Sequence, residues 1–352
     1  MILAAKKSAF VQLGSFLKQF TAQPYERDAN VLLNDEFFEP FTELINRLQE
    51  SNSWFLREQL EHAFAAWGNA LTQENLDQWL QPYALDSEPQ KTVGLILAGN
   101  VPMVGFHDVL SVLISGNKAL IKLSSNDQLL IPFLLKYLVA VAPEFADRYE
   151  ITKERLEHFD AVIATGSDNT ARYFDYYFGK YPNIIRKNRN SVAVLNGNET
   201  KEDLIALGED IFRYYGLGCR NVSKLFVPKD YNFDLFFEAM YAYKDIIEYE
   251  KYANNYDYNK AVYLMSNYKI LDNGFLTIRE DASFASPISS VFYEYYENLD
   301  ALQTQLQQQQ DKIQCVVSNK LTANSLPFGT TQTPALWDYA DGVDTLAFLS
   351  QL

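Results

Sequence analysis

Residues 92–125 read TVGLILAGNVPMVGFHDVLSVLISGNKALIKLSS, and the succession of textures inside them decides the fold. TVGLILA (92–98) is a short, continuous apolar run that stops at Gly99. A strand buried on both faces of a parallel sheet has this form. A loop with Asn100 and Pro102 opens an apolar helix that closes at Gly116-Asn117, and KALIKL (118–123) is a second strand. Downstream, 127–141 reads as a second helix and DAVIA (160–164) as a third strand. The turn TGSDNTAR opens a third helix, and 191–195 is a fourth strand. Strands and helices alternating through short loops predict an open parallel sheet of the nucleotide-binding kind. Upstream, residues 1–85 are helical in pattern, with Leu56, Leu60, Phe64 and Trp67 at helical spacing and Thr72 placed as an N-cap.

The whole chain has 352 residues, enough for two domains, and an apolar share of 48% that supplies a sizeable core. Its 45 acidic against 30 basic residues leave a net charge of −15. That balance argues against a nucleic-acid-binding surface and leaves room for a local basic pocket. Two cysteines, Cys219 and Cys315, make no disulfide framework and suit a reducing cytoplasm. The most apolar runs are too short to span a membrane, and the N-terminus lacks the charged start and cleavage site of a signal peptide. The expectation is a cytoplasmic protein with no membrane span.

After residue 195 the composition shifts, which predicts a boundary there: a helical N-terminal segment and dinucleotide-binding lobe over 1–195, and a second α/β lobe with a C-terminal tail over 196–352. Residues 204–215 read as a helix and 224–227 as a strand, with the turn GLGC between them. Cys219 in that turn is either a small buried hydrophobe or an exposed nucleophile. Cys315, in KIQCVV, lies mid-strand among apolar residues and reads as core. The three histidines, His62, His107 and His158, are scattered and have no Cys or His at ligand spacing, so no metal site is expected. No GxSxG elbow and no GxGxxG phosphate loop occur.

Four loops stand in order along the chain: GNVP with Asn100, IKLSS with Lys122, Ser124 and Ser125, ATGS with Gly166 and Ser167, and GLGC with Cys219. Their order and spacing resemble the landmark loops of the aldehyde dehydrogenase superfamily. The stretches RKNRNSVAVLNG and LPFGTTQTPALWDYADGVDTLAFL look most like its acyl-CoA reductase branch, which contains the fatty acyl reductases of bacterial luminescence (the LuxC type). The resemblance covers roughly residues 90–352; the helical first quarter matches loosely.

The resemblance implies an aldehyde-dehydrogenase-like α/β fold, with a catalytic lobe carrying Cys219 as nucleophile. It implies NADPH-dependent reduction of long-chain acyl-CoA to aldehyde through an acyl-cysteine thioester. Asn100 and the Cys219 N–H would hold the oxyanion; on the bland reading Asn100 shapes its own turn. Lys122, with Ser124 and Ser125, falls where the family binds the adenosine ribose. A glutamate common at Ser125 in NAD-preferring relatives is missing, which favours NADPH over NADH. Gly166 and Ser167 open a helix where a pyrophosphate would sit, or Ser167 merely caps it. The acid that grips the nicotinamide ribose is Glu280 or Asp281. No carboxylate lies between Asp175 and Glu199, where hydrolytic relatives keep a general base; Arg186 or a neighbour stands there. A thiol such as CoA then becomes the exchange partner, with Arg186, Lys187, Arg189 and Arg220 either drawing its phosphates or forming a solvated loop. The tyrosine-rich stretch 241–263 is core, or lines an acyl tunnel. The superfamily implies a homo-oligomer, a dimer or tetramer. The competing readings are an acyl-phosphate reductase, an aldehyde-oxidising dehydrogenase, and a catalytically idle scaffold for a partner subunit.

Overall fold

Four helices come first: α1 (Leu3–Lys18), α2 (Asn34–Ser51), α3 (Arg57–Ala70) and α4 (Gln73–Leu80). The Thr72 side chain accepts the Asn75 N–H and caps α4, as its place before the apolar stripe predicts. The structure, a computed structural model, describes residues 2–85, 91–321 and 324–352. The chain then alternates through β1 (Thr92–Ile96), α5 (Phe106–Ile114), β2 (Lys118–Lys122), α6 (Leu130–Val141), β3 (Tyr149–Ile151), β4 (Ala161–Thr165), α7 (Asp168–Phe178) and β5 (Asn183–Arg186).

These strands form one sheet in the order β3-β2-β1-β4-β5, every neighbour parallel. Period-two alternation sorts its side chains to two faces. Val93, Leu95, Ala119, Ile121 and Ile163 join one core with the phenylalanines of α1–α3, among them Phe10, Phe16, Phe41 and Phe64. Leu120, Val162 and Ala164 face a smaller cluster with Phe159, Phe174 and Phe178. Burial on both faces is why β1, β2 and β4 read as unbroken apolar runs. It also gives the N-terminal helices their place, as the cover of one sheet face.

The second set of elements is β6 (Asn190–Val194), α8 (Lys201–Phe212), β7 (Val222–Pro228), α9 (Asp234–Met240), α10 (Glu250–Met265), β8 (Leu271–Asp272), β9 (Thr277–Glu280), β10 (Ser290–Tyr296), α11 (Leu299–Gln308) and β11 (Ile313–Ser318). Its sheet runs β11-β6-β7-β10-β9-β8, parallel except for β8 against β9. One face packs on α8 and α9 through Leu207, Leu225 and Phe236. The other packs on α11 through Val192, Phe226 and Leu302. A last helix, α12 (Thr345–Ser350), returns Leu346 and Leu349 to the first core.

The α/β class, the parallel sheet and the helical N-terminus are thus as expected, while the division is not. The chain separates into Met1–Lys187 with Ala335–Leu352, and Asn188–Pro334. The boundary falls before β6 rather than near residue 195, because β6 pairs with β7 and β11 and not with β4 or β5. The tail belongs with the first unit, since its leucines lie in that core. Among the described residues no helix is long and apolar enough to cross a membrane.

Candidate active site

In the first unit the sheet order reverses about β1 and β4, and parallel sheets gather ligands at the carboxyl ends of strands beside such a switch point. Asn100 follows β1, Lys122, Ser124 and Ser125 follow or end β2, and Gly166 and Ser167 follow β4. The topology therefore sets all six on one edge of one sheet. Asn100 is exposed, in the turn before Met103, whose φ of 59° is left-handed.

The end of β2 brings Lys122, Ser124 and Ser125 together in sequence. Lys122 Nζ donates to the Glu154 carbonyl at 3.2 Å near the surface, and Ser125 is exposed. The Ser124 hydroxyl accepts the Asn126 N–H at 3.2 Å. A Cβ on Gly99 would lie 2.6 Å from Ser124 Cβ, so glycine lets the loops after β1 and β2 close on each other. Asp127, the one carboxylate within 122–127, is turned inward: it accepts the Leu130 N–H at 3.3 Å, and burial pushes its pKa up to about 6. The end of β2 thus presents one lysine and two serine hydroxyls, with the exposed Glu154 the acid whose backbone Lys122 touches.

Gly166 is different. A Cβ there would meet Phe174 at 2.9 Å and Thr170 at 3.0 Å. Its smallness therefore serves packing against its own helix. Ser167 accepts the Thr170 N–H and caps α7, the plainer of its two expected roles.

Cys219 lies in the second unit, partly exposed, in the turn between α8 and β7. Three successive residues before it are left-handed: Tyr214 (φ 53°), Tyr215 (φ 58°) and Gly216 (φ 74°). The turn is fastened at several points. Gly218 N–H donates to Asn221 Oδ1 at 2.8 Å, the Cys219 carbonyl accepts Ser191 Oγ from β6 at 3.0 Å, and Arg220 Nη1 donates to Cys315 Sγ at 3.3 Å. Asn221 is 3% exposed, and its Nδ2 donates back to the carbonyls of Asp210 (3.1 Å), Ile211 (3.4 Å) and Arg213 (2.8 Å). The sequence reading passed over Asn221, Ser191 and Asp210. An asparagine two residues past a glycine-flanked cysteine was the available signal.

Asp210 joins this turn to the loop after β11. Its carboxylate accepts Gly329 N–H at 2.6 Å, Thr331 N–H at 3.0 Å and Thr331 Oγ1 at 2.8 Å. Burial nevertheless outweighs those donors and raises its pKa from 3.8 to about 6. Because the folded value is the higher one, stability from this group is full below about pH 4 and is lost as pH rises through about 6. Asp210→Asn is therefore expected to flatten the fall in unfolding free energy over that window, measured by urea unfolding at stepped pH. Asp127 shifts the same way, so part of the slope remains.

Other expected residues are committed elsewhere. Arg186 is buried in an ion pair with Asp108 and donates to Thr345 Oγ1 at 3.1 Å. Arg189 donates to the carbonyls of Gln310 and Ile313. Arg220 is on Cys315, so each of these three arginines has a contact within its own unit; Lys187 is exposed near Asp175. Cys315 is buried in β11, as read. His107 sits among Trp67, Trp79 and Tyr339 with Nε2 2.8 Å from the Leu336 carbonyl. No group of three or more His, Cys, Asp or Glu able to hold a metal occurs among the described residues. Asp281 pairs with Arg279 and accepts the Ser283 N–H at 2.8 Å, whereas Glu280 is exposed at the end of β9. Of the tyrosines, 252, 256 and 263 are core and 241 and 258 are exposed.

Residues 12–239 match the model of the family described as acyl-CoA reductase (LuxC). The chain belongs to the LuxC family. Among curated proteins it is 25% identical over 218 residues to long-chain acyl-protein thioester reductase 2 of Photobacterium leiognathi, covering 56% of this chain and 45% of that one. It is 24% identical over 225 residues to the long-chain acyl-protein thioester reductase of Aliivibrio fischeri, covering 57% and 45%. The chain thus spans about half the length of the curated relatives it matches. Solved aldehyde dehydrogenases share the fold. An indole-3-acetaldehyde dehydrogenase complexed with NAD+ aligns with a TM-score of 0.64 at 14% identity, covering 95% of this chain and 75% of that one. Aldehyde dehydrogenase 21 of Physcomitrella patens gives 0.59 at 14% identity, covering 90% and 76%. This LuxC-family chain therefore has the aldehyde dehydrogenase fold.

Proposed function

We propose that the chain reduces a thioester-bound long-chain acyl group to the aldehyde through an acyl thioester on Cys219, with NADPH as reductant. The observation that carries the reading is the Cys219 turn, a partly exposed cysteine on an anchored loop in a chain of the acyl-CoA reductase family. As thiolate, Cys219 attacks the acyl carbonyl; the carbon–sulfur bond to the donor breaks, and the departing thiolate takes a proton from water. The Cys219 N–H is the donor this reading gives the oxyanion, with Asn100 carried from the family resemblance as the second. Lys122, Ser124 and Ser125 would hold the cofactor's 2′-phosphate. The hydride that would turn the acyl-enzyme into a thiohemiacetal oxyanion is the chemistry NADPH supplies when bound. Cys219 is then the leaving group: the carbonyl re-forms from the oxyanion, the sulfur recovers the electron pair of the carbon–sulfur bond, and the aldehyde departs.

Acyl-CoA is the first donor proposed. The names of the curated relatives favour a second, an acyl group carried as a protein thioester. The reading extends to a cytoplasmic homo-oligomer that works without a metal. To test it, the chain is incubated with radiolabelled tetradecanoyl-CoA, or with a protein carrying the same acyl thioester, with and without NADPH. The expected result is hydroxylamine-sensitive label on the chain that NADPH chases into aldehyde. Label from acyl phosphate but from neither thioester would shift the reading to an acyl-phosphate reductase. No label from any donor would leave the scaffold reading.

A further inference from the structure

We infer that Asn221 is the positioning residue for Cys219. The inference rests on the acyl-cysteine reading for its consequence, and on hydrogen bonds within one unit for its geometry.

The last carbonyls of an α-helix have no partner inside it and need donors from elsewhere. In α8 the Glu209 carbonyl is taken by the Arg213 N–H. The next two, Asp210 and Ile211, are taken by the side-chain amide of Asn221, which also holds the Arg213 carbonyl. The cap thus comes from beyond the turn rather than from within it. The same side chain accepts Gly218 N–H, and the Asn221 N–H donates to the Gly218 carbonyl at 3.1 Å. One buried amide therefore ends the helix and closes the loop of residues 213–220 that displays the thiol. Left-handed φ at Tyr214 and Tyr215 is unfavourable for side-chain-bearing residues, so this loop path needs an external clamp. Ser191 adds a second anchor, on the Cys219 carbonyl. Asn221 touches no reacting atom in this account; it acts through where it holds Cys219.

Attack on a carbonyl depends on the angle and position of the sulfur, whereas alkylation by a small reagent tolerates both. The test is to compare the two reactions in Asn221→Ala. Single-turnover acylation of Cys219 at saturating acyl thioester is expected to fall roughly 100-fold, the usual effect of a small misplacement. Iodoacetamide labelling of Cys219, followed by peptide mass spectrometry, is expected to stay close to that of the unaltered chain. Cys315, 7% exposed, reports general loosening and is expected to stay unlabelled. Unchanged acylation would overturn the inference. So would new labelling of Cys315 together with parallel loss of both Cys219 reactions, which marks a merely structural role. If Asn221→Ala does not fold, Ser191→Ala takes its place and is expected to show the same split with a smaller drop. Should the unaltered chain accept no acyl group, the proposed function fails, and hydrogen exchange at the Gly218 amide decides the inference. Exchange about tenfold faster in Asn221→Ala, with β7 amides unchanged, is expected from the lost bond; equal exchange overturns it.

Discussion

Cys219→Ala is expected to abolish both protein acylation and aldehyde formation, a fall of at least roughly 10⁴-fold, the scale seen when a covalent nucleophile is removed. The argument is one of substitutes. Cys315 is buried in the middle of β11 and its sulfur accepts the Arg220 guanidinium. A serine or water would need a base, and residues 176–198 hold no carboxylate. Cys219→Ser separates the two half-reactions. A hydroxyl is a far weaker nucleophile than a thiolate, and an oxygen ester accepts hydride less readily than a thioester. This variant is expected to take up label slowly and to keep it when NADPH is added. Quantifying bound label and aldehyde in the same samples distinguishes the steps. Cys315→Ala is expected to retain acylation, with a modest loss from the missing Arg220 contact. Label persisting in Cys219→Ala and vanishing in Cys315→Ala would move the nucleophile to the other cysteine.

The parts of the fold that could be read were those whose burial is two-sided. β1, β2 and β4 pack on both faces, so their apolar runs stand out without context. The edge strands β3 and β5 escaped notice: β3 is three residues with little buried surface, and β5 alternates buried and half-buried positions. β6 was legible as a strand and illegible as to sheet, since its apolar run is the same whichever partner it takes. What assigns it is pairing with β7 and β11, a long-range choice that local pattern does not encode. The site divides in the same way. Cys219, Lys122 and Ser125 became candidates by residue type in a turn or at a strand end. Arg186 and Arg189 looked like a solvated basic loop, yet a buried aspartate and two carbonyls claim them. Asn221 carries no charge and no reactive atom, and its importance lies in four bonds that exist once the helix and strand have met.

Ser125→Glu is expected to reverse the coenzyme preference, cutting the ratio of NADPH to NADH affinity by roughly 100-fold. Ser125 is exposed just past β2, so the longer side chain has room and the fold has no stake in the position. A phosphate monoester and a carboxylate about 5 Å apart, in a medium between water and protein, repel by about 2–3 kcal/mol. The same carboxylate accepts the two ribose hydroxyls of NADH, which moves the ratio further. Lys122→Ala is the complement: it removes the cation, so NADPH is expected to weaken about tenfold while NADH changes little. Both effects are electrostatic at an open surface and are expected to shrink as salt is raised. Titrating each coenzyme by its quenching of protein fluorescence reads the affinities without requiring turnover. Asp127 does not complicate the comparison, because its carboxyl is turned inward to the Leu130 N–H. If NADPH affinity is indifferent to both substitutions, the phosphate does not rest at the end of β2. The cofactor reading would then have to find its cation at another strand end of the same sheet.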